Sequence, residues 1–242
     1  PVSMVLTLPF LPLGDLRVSM HVREAVMKHP DHIKDMDNWN AMAYMSALLP
    51  QYEFMGRGKP PTSLEDWKGM RVRAGGGLGT AMEQLGATLT TVAAPEVYTG
   101  IERGTMDAAS FPYTYSHASY KLHEISDWFT SNMSPGTTEC ATVFNKDAYA
   151  KLPDQYKKLL MELKEPAYEV QIKAYEEIDK KNLPMFREKL TEVVYTEAQL
   201  EEFRKIAAKP VWDKWVEENK GKFDAQGVLD LVLAEAKKAA GQ

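Results

Sequence analysis

The chain has 242 residues, 44% of them apolar and 26% charged, which supports one large or two modest domains with a buried core and excludes intrinsic disorder. Lys+Arg 29 against Asp+Glu 34 leaves a net charge of −5 with no long basic run, so a nucleic-acid partner lacks its usual electrostatic footprint. No stretch of about 18 apolar residues is present to span a bilayer, and the single cysteine, Cys140, makes neither an internal disulfide nor a cysteine-based zinc site.

The sequence opens on Pro1, without Met, a basic segment or an apolar leader, as expected of a processed chain or a fragment. Met4-Val5-Leu6-Thr7-Leu8, broken by Pro9 and Pro12, predicts a buried strand ending in a loop. Met36, Trp39, Met42, Ala43 and Met45 are spaced for a helix over residues 35–49, stopped by Pro50. Tyr52-Glu53-Phe54-Met55 reads as a second strand, and the turn-rich run from Gly56 to Pro61 as a joint between domains, with Ser63 and Asp66 nearly forming a capping box for a short helical turn.

From Gly69 onward the pattern is that of an α/β unit. It predicts a strand at residues 70–74, a glycine loop at 75–79, a helix at 80–85 and a strand at 88–92. A helix at 95–103, a strand at 106–110 and the aromatic segment Phe111-Pro112-Tyr113-Thr114-Tyr115 follow. Between Pro153 and about Asn182 the apolar steps of three and four predict a long helix, with Pro166 and Pro184 as kink or end points. Such a helix, about 40–45 Å long, is long enough to brace two lobes.

Most catalytic signatures are missing. The glycines after Ala74 fit neither a P-loop nor Gly-x-Gly-x-x-Gly, and no His-Glu-x-x-His or Gly-x-Ser-x-Gly occurs. The five histidines are read as surface residues rather than ligands, and Cys140 as a small core residue rather than a nucleophile. What stands out is Arg73, at the end of a strand that runs into a glycine loop and a helix N-terminus, where open α/β sheets bind ligands and a guanidinium meets a carboxylate bidentately. The alternative is that Arg71 and Arg73 are solvated, or pair with Glu96 or Asp107. Phe111, Tyr113 and Tyr115 suit either a stacking wall for a ligand or plain core packing. Arg57 or Lys59 could assist Arg73 or remain solvated.

Several segments carry a resemblance. Leu64-Glu65-Asp66-Trp67-Lys68-Gly69-Met70-Arg71-Val72-Arg73, Leu85-Gly86-Ala87, Glu96-Val97-Tyr98, Arg103-Gly104-Thr105-Met106-Asp107-Ala108-Ala109, Asn145-Lys146-Asp147 and Leu152-Pro153 resemble the DctP-type solute-binding subunits of tripartite ATP-independent periplasmic (TRAP) transporters. Leu8-Pro9-Phe10-Leu11 is similar to the family's internal Pro-Phe segment, so the likeness runs along nearly the whole chain. The family has a further β-α-β-α stretch before the position of Pro1, about 70–80 residues for a lobe of ordinary size.

The resemblance implies an α/β, two-lobed periplasmic binding protein fold with mixed sheets and a long helix bracing both lobes. Residues 1–53 and 140–185 are expected in lobe I, and residues 54–139 and 186–242 in lobe II, with crossings near residues 53–58 and 136–139. It further implies a periplasmic location, an organic-acid ligand, TRAP membrane subunits as partners, no enzymatic activity, no cofactor and no direct membrane insertion. Arg73 matches the family's carboxylate-clamping arginine. Ser110-Phe111-Pro112 departs from the Asn or Trp that many relatives carry near that Pro, which points away from sialic acid and C4-dicarboxylates and toward a monocarboxylate with an apolar or aromatic body against Phe111, Tyr113 and Tyr115. Glu139 corresponds to an acidic group that some relatives binding 2-oxo acids place near a metal. The competing reading is a small-molecule enzyme that binds a carboxylate substrate in an α/β cleft; it requires an acid–base group or nucleophile beside Arg73, which the sequence does not supply.

Overall fold

The computed structural model describes residues 2–241; Pro1 and Gln242, the outer limits of the two expected lobes, lie outside the described residues. The chain opens with a 3-10 helix, Val2–Thr7, where a strand was expected. Val2, Val5 and Leu6 are buried and Met4 is exposed, a spacing of three and four that a strand cannot present to one side. Helix α1 (Leu16–Met27) starts at Asp15, whose side chain accepts from the backbone N–H groups of Arg17 and Val18. Helix α2 (Pro30–Asp37) is followed by strand β1 (Ala41–Ser46), in place of the single helix expected over 35–49. Asn40 takes a left-handed φ of 49° and breaks the helix, and its carbonyl accepts from Lys146 N. Long-range pairing of β1 with a strand a hundred residues later then overrides the local helical spacing.

Strand β2 (Tyr52–Gly56) lies where expected. Strand β3 (Arg71–Arg73), helix α3 (Gly76–Gln84) and strand β4 (Thr88–Thr90) form the predicted α/β unit, but the glycines belong to the first turn of α3 rather than to a loop. Helix α4 (Val97–Glu102), strand β5 (Ala108–Pro112), helix α5 (Tyr115–Ser119) and strand β6 (Trp128–Thr130) complete the unit. Strand β7 (Ala141–Asn145), helix α6 (Lys146–Ala150), helix α7 (Asp154–Lys189), strand β8 (Thr191–Val193) and helices α8 (Glu197–Ala207), α9 (Lys209–Asn219) and α10 (Ala225–Ala239) follow.

Two sheets define two lobes. Strands β1 and β7 pair antiparallel in the first, and the second has the order β4-β3-β5-β2-β6-β8, with β4, β3 and β5 parallel and β2 antiparallel to β5 and β6. Tyr52, Phe54, Trp67, Leu78, Met82, Trp128 and Phe203 share one core of the large sheet, and Met55, Ile101, Phe111, Phe129 and Phe186 the other. The two-lobed α/β architecture is the one the sequence implied, but the boundaries shift. The expected break at residue 53 falls inside β2, and the range 186–242 divides between the lobes. Strand β8 joins the large sheet and α8 packs on α3, whereas Val228, Leu229, Val232 and Ala236 of α10 close the first lobe's core with Val2, Val5, Val22 and Val26.

The lobes are joined by segments 47–51 and 136–140, which run side by side: Ala47 N donates to Cys140 O (2.9 Å) and Tyr52 N to Gly136 O (2.7 Å). The first crossing therefore lies upstream of the expected 53–58. Cys140 is exposed there rather than in a core. A third link is the segment around Pro9. Phe10 N donates to Pro135 O, Trp212 Nε1 donates to Pro9 O (2.7 Å), and the Phe10 ring meets Phe203 of the second lobe edge-on at 4.9 Å. Gly77 is required beneath it, because a Cβ there would meet Thr7 O at 2.3 Å.

Helix α7 has 36 residues and continues through both Pro166 and Pro184, giving about 54 Å at 1.5 Å per residue. Its first half docks on the first lobe, where Ser46 N donates to Tyr168 Oη (2.8 Å) and Leu48 N to Gln171 Oε1 (2.7 Å). Phe186, near its other end, is buried in the second lobe. This anchoring at both ends keeps the helix from ending at either proline.

Candidate functional site

Because β3, β4 and β5 are parallel, their carboxyl ends open together, and Arg73 stands at that edge with Thr90 as its register partner on β4 and Ala109 on β5. A cavity of about 210 Å³ lies there, lined by Tyr52, Arg73, Ala74, Gly75, Thr90, Thr91, Val92 and Thr138. Arg73 Nη1 donates to Ser110 O (3.0 Å), Ser110 Oγ donates back to Arg73 O (3.1 Å), and the guanidinium carbon lies 4.6 Å from the centre of the Phe111 ring. Backed by that ring and tied by one carbonyl, the fork is oriented but not consumed. Among the described residues no carboxylate pairs with it. Desolvation is the main influence on its pKa, lowering it, against the opposing influence of Tyr52 and Tyr120.

Arg71, two residues earlier on the same face, has the opposite equipment. Asp107 accepts from its backbone N (2.7 Å), Nε (3.1 Å) and Nη2 (2.5 Å), and Gly104 O accepts from Nη1. The ion pair holds the Asp107 carboxyl below the usual carboxylate range. The pairing weighed for both arginines therefore holds for Arg71 with Asp107 and leaves Arg73 open to the cavity.

The remaining candidates divide. Phe111 is buried and serves as the base of the Arg73 stack. Tyr113 packs into the second lobe's core, its hydroxyl without a hydrogen-bond partner among the described residues and its pKa raised by burial. Tyr115 stacks on Tyr175 of α7, with ring centres 5.1 Å apart. The three do not form one wall, and the aromatic ring that lines the cavity is Tyr52. Arg57 lies at the other end of the sheet, after the carboxyl end of antiparallel β2, where Nη1 donates to Glu102 O (2.9 Å); it cannot assist Arg73 from there. Lys59 is 80% exposed and bonds Asp66.

Glu139 belongs to the crossing rather than to the cavity. Its Oε2 accepts from Arg23 Nη1 and from Ser46 Oγ (3.0 Å), in a pair with Arg23 that is almost wholly buried. Burial raises the Glu139 pKa while the charge of Arg23 opposes the rise. The remaining donors of Arg23 reach Ser19 Oγ (2.9 Å), Ser46 Oγ (3.2 Å) and Thr138 O (3.0 Å).

Two histidines expected at the surface are buried: His32 against the first lobe's helices, and His117 behind Phe111 and Phe186. Burial lowers the pKa of His117 to about 3, so it is neutral.

Sequence reasoning missed Tyr52, Thr138, Thr90 and Thr91. Thr90 and Thr91 had a usable signal, since both fall in the carboxyl half of the strand expected at 88–92, next after the one that carries Arg73. Tyr52 and Thr138 had none, because their meeting depends on the two crossings running side by side.

With this geometry in place, the likeness to known proteins is specific. Residues 6–219 match the DctP family, described as bacterial extracellular solute-binding protein, family 7. A solute-binding protein of Albidiferax ferrireducens is 25% identical over 169 residues, 68% of this chain and 50% of that protein. A monocarboxylate 2-oxoacid-binding periplasmic protein of Nostoc sp. is 28% identical over 99 residues, 40% of this chain and 27% of that protein. The matched regions thus span half or less of those relatives. A TRAP solute-binding protein from Rhodoferax ferrireducens T118, solved with copurified benzoate, superposes with a TM-score of 0.84 at 20% identity, over 100% of this chain and 76% of that one. At that identity the superposition shows the shared fold.

Proposed function

The chain belongs to the DctP family, the bacterial extracellular solute-binding proteins of family 7, and on that footing we propose that it captures an organic acid in the Arg73 cavity and delivers it to the membrane subunits of a TRAP transporter. Its place of action is then outside the cytoplasm, in the periplasm, and among the described residues no helix is long and apolar enough to cross a membrane. The family consists of binding proteins rather than enzymes, and the reading is one of stoichiometric capture without turnover.

The observation that carries it is the state of Arg73: half-buried, aimed by Phe111 and Ser110, and without a carboxylate partner among the described residues. A desolvated guanidinium is stabilised by an anion, and a planar carboxylate matches its fork. Among the described residues one cation, Arg73, lines the cavity, which favours a monocarboxylate, and Tyr52 adds an aromatic residue to the same lining, suited to an apolar or aromatic body. The benzoate in the Rhodoferax protein and the monocarboxylate 2-oxoacids bound by the Nostoc protein point in the same direction. Phe111 supports the clamp from behind, while Tyr113, Tyr115, Arg57 and Glu139 hold the surrounding structure.

A thermal-shift panel of organic acids tests the reading. An acid at 100 times its dissociation constant adds about 2.7 kcal/mol of stability, several degrees in melting temperature for a chain of this size. If no carboxylate in a broad panel stabilises the chain, the proposal fails.

A further inference from the structure

Resting on the organic-acid reading and refining it, the cavity's second polar element bears on which acids fit. Tyr52 and Thr138 line the same cavity as Arg73. Tyr52 begins β2 and Thr138 lies on the second crossing segment, and their side-chain oxygens are 2.7 Å apart. Tyr52 is 8% exposed, and the phenol and the guanidinium are near enough to influence each other's ionisation. Two hydroxyls carry two hydrogens, and the bond between them consumes one. Neither hydroxyl has another partner among the described residues, so one hydrogen remains to be donated. On Arg73, Nη1 is engaged with Ser110 O, which leaves Nε and Nη2 for a carboxylate.

We propose that the Tyr52–Thr138 hydroxyl pair is a specificity element, selecting acids that carry a hydroxyl or oxo oxygen on the carbon next to the carboxylate held by Arg73. That carbon is the one part of any such ligand whose position the clamp fixes, so an oxygen on it comes to the same place whatever the rest of the molecule. An oxygen there accepts the spare hydrogen. A plain methylene leaves that hydrogen shut away from water and unmet, which is why a site built to bond an oxygen rejects the analogue lacking it.

The test uses three acids with the same carbon skeleton, 3-phenylpropionate, phenyllactate and phenylpyruvate, titrated calorimetrically into the full chain. The wild-type chain is expected to bind the two oxygenated acids about tenfold more tightly than 3-phenylpropionate. Tyr52→Phe and Thr138→Val each leave one hydroxyl with its hydrogen, so each single variant retains a preference of about threefold or more. The double variant retains neither, and its preference falls to within twofold. That pattern, a preference kept in either single variant and lost only in the double, is not produced by a merely structural role for either residue. Equal affinity of the wild-type chain for all three acids, or a preference that survives in the folded double variant, overturns the assignment and leaves the organic-acid reading standing. A wild-type chain that binds none of the three, or any other carboxylate, overturns both. Should the double variant fail to fold, the wild-type ranking of the three acids still decides the matter.

Discussion

At the crossing between the lobes, Arg23 is wholly buried and its guanidinium is met by oxygens from Ser19, Ser46, Thr138 and Glu139. At the open end of β3, Arg73 is half-buried and meets one carbonyl oxygen and the face of a phenyl ring. Both charges have been drawn out of water, which is unfavourable for each. The first is compensated within the chain and so fixes the crossing. The second is compensated only in part, and its remaining requirement is met by an acid from outside. Burial alone does not mark a binding arginine; burial with donors left over does.

The hardest way to break this comparison is to unpair the first arginine. Glu139→Ala leaves a buried, uncompensated charge and should lower stability by about 3–5 kcal/mol in chemical denaturation; near-wild-type stability would mean that the pair does not hold the crossing. The same experiment on Arg73→Lys should give an unfolding midpoint close to wild type while affinity for the bound acid falls by about 2–5 kcal/mol, or roughly 30- to several-thousand-fold. Lysine keeps the charge and loses the planar fork, so wild-type affinity in Arg73→Lys would dissolve the contrast.

His117 sharpens it from a third side, being buried behind Phe111 and not among the residues that line the cavity. Its pKa in the folded chain is about 3, lowered by burial, against about 6.5 when unfolded. Between those values the unfolded chain binds the extra proton, so stability rises with pH in that window. The contribution is complete above about pH 6.5 and is lost as pH falls toward 3, at up to about 1.4 kcal/mol per pH unit. The neighbouring His123 is also shifted down by burial, so the difference between wild type and His117→Leu at each pH isolates the effect. Identical pH profiles for the two would count against it.

Smaller effects separate the body of the ligand from its head. An aromatic body against Tyr52 should add about 0.5–1.5 kcal/mol beyond area burial, so benzoate-like acids should displace succinate and malate in competition; the reverse order would demand a second cation in the cavity. Finally, if an acid bridges Arg73 and the crossing, it should draw the lobes together about segments 47–51 and 136–140. Small-angle scattering should then report a smaller radius of gyration on saturation, and an unchanged radius with binding confirmed would leave the cavity static.

Elements built from contiguous periodicity were legible in the sequence. The β3–α3–β4 unit and β2 were read within a few residues and the long helix from its true start, though seven residues short at its end, because each carries its own apolar spacing and boundary residues. Where a distant partner decides, the reading failed. Residues 41–46 have helical spacing but become a strand because β7 is available to pair with them, and residues 2–7 form a helical turn whose Val2, Val5 and Leu6 pack with the valines of α1 and α10. The site followed the same division. Arg73 was legible because its address at a strand end has general meaning. The cavity's hydroxyls were not, since Tyr52 and Thr138 are separated by 86 positions along the chain.

The way α10 closes the first lobe's core has a consequence for how the chain acquires its structure. Val228 and Val232 pack with Val2 and Val5, while Phe10 is already committed to the other lobe through Phe203. The first core is therefore completed by contacts spanning more than two hundred positions, the kind that slow folding because the loop must close before the contact rewards it. The first lobe cannot finish until the chain has passed through the second and returned, so loss of the second lobe's fold in denaturant should take the first lobe's core with it.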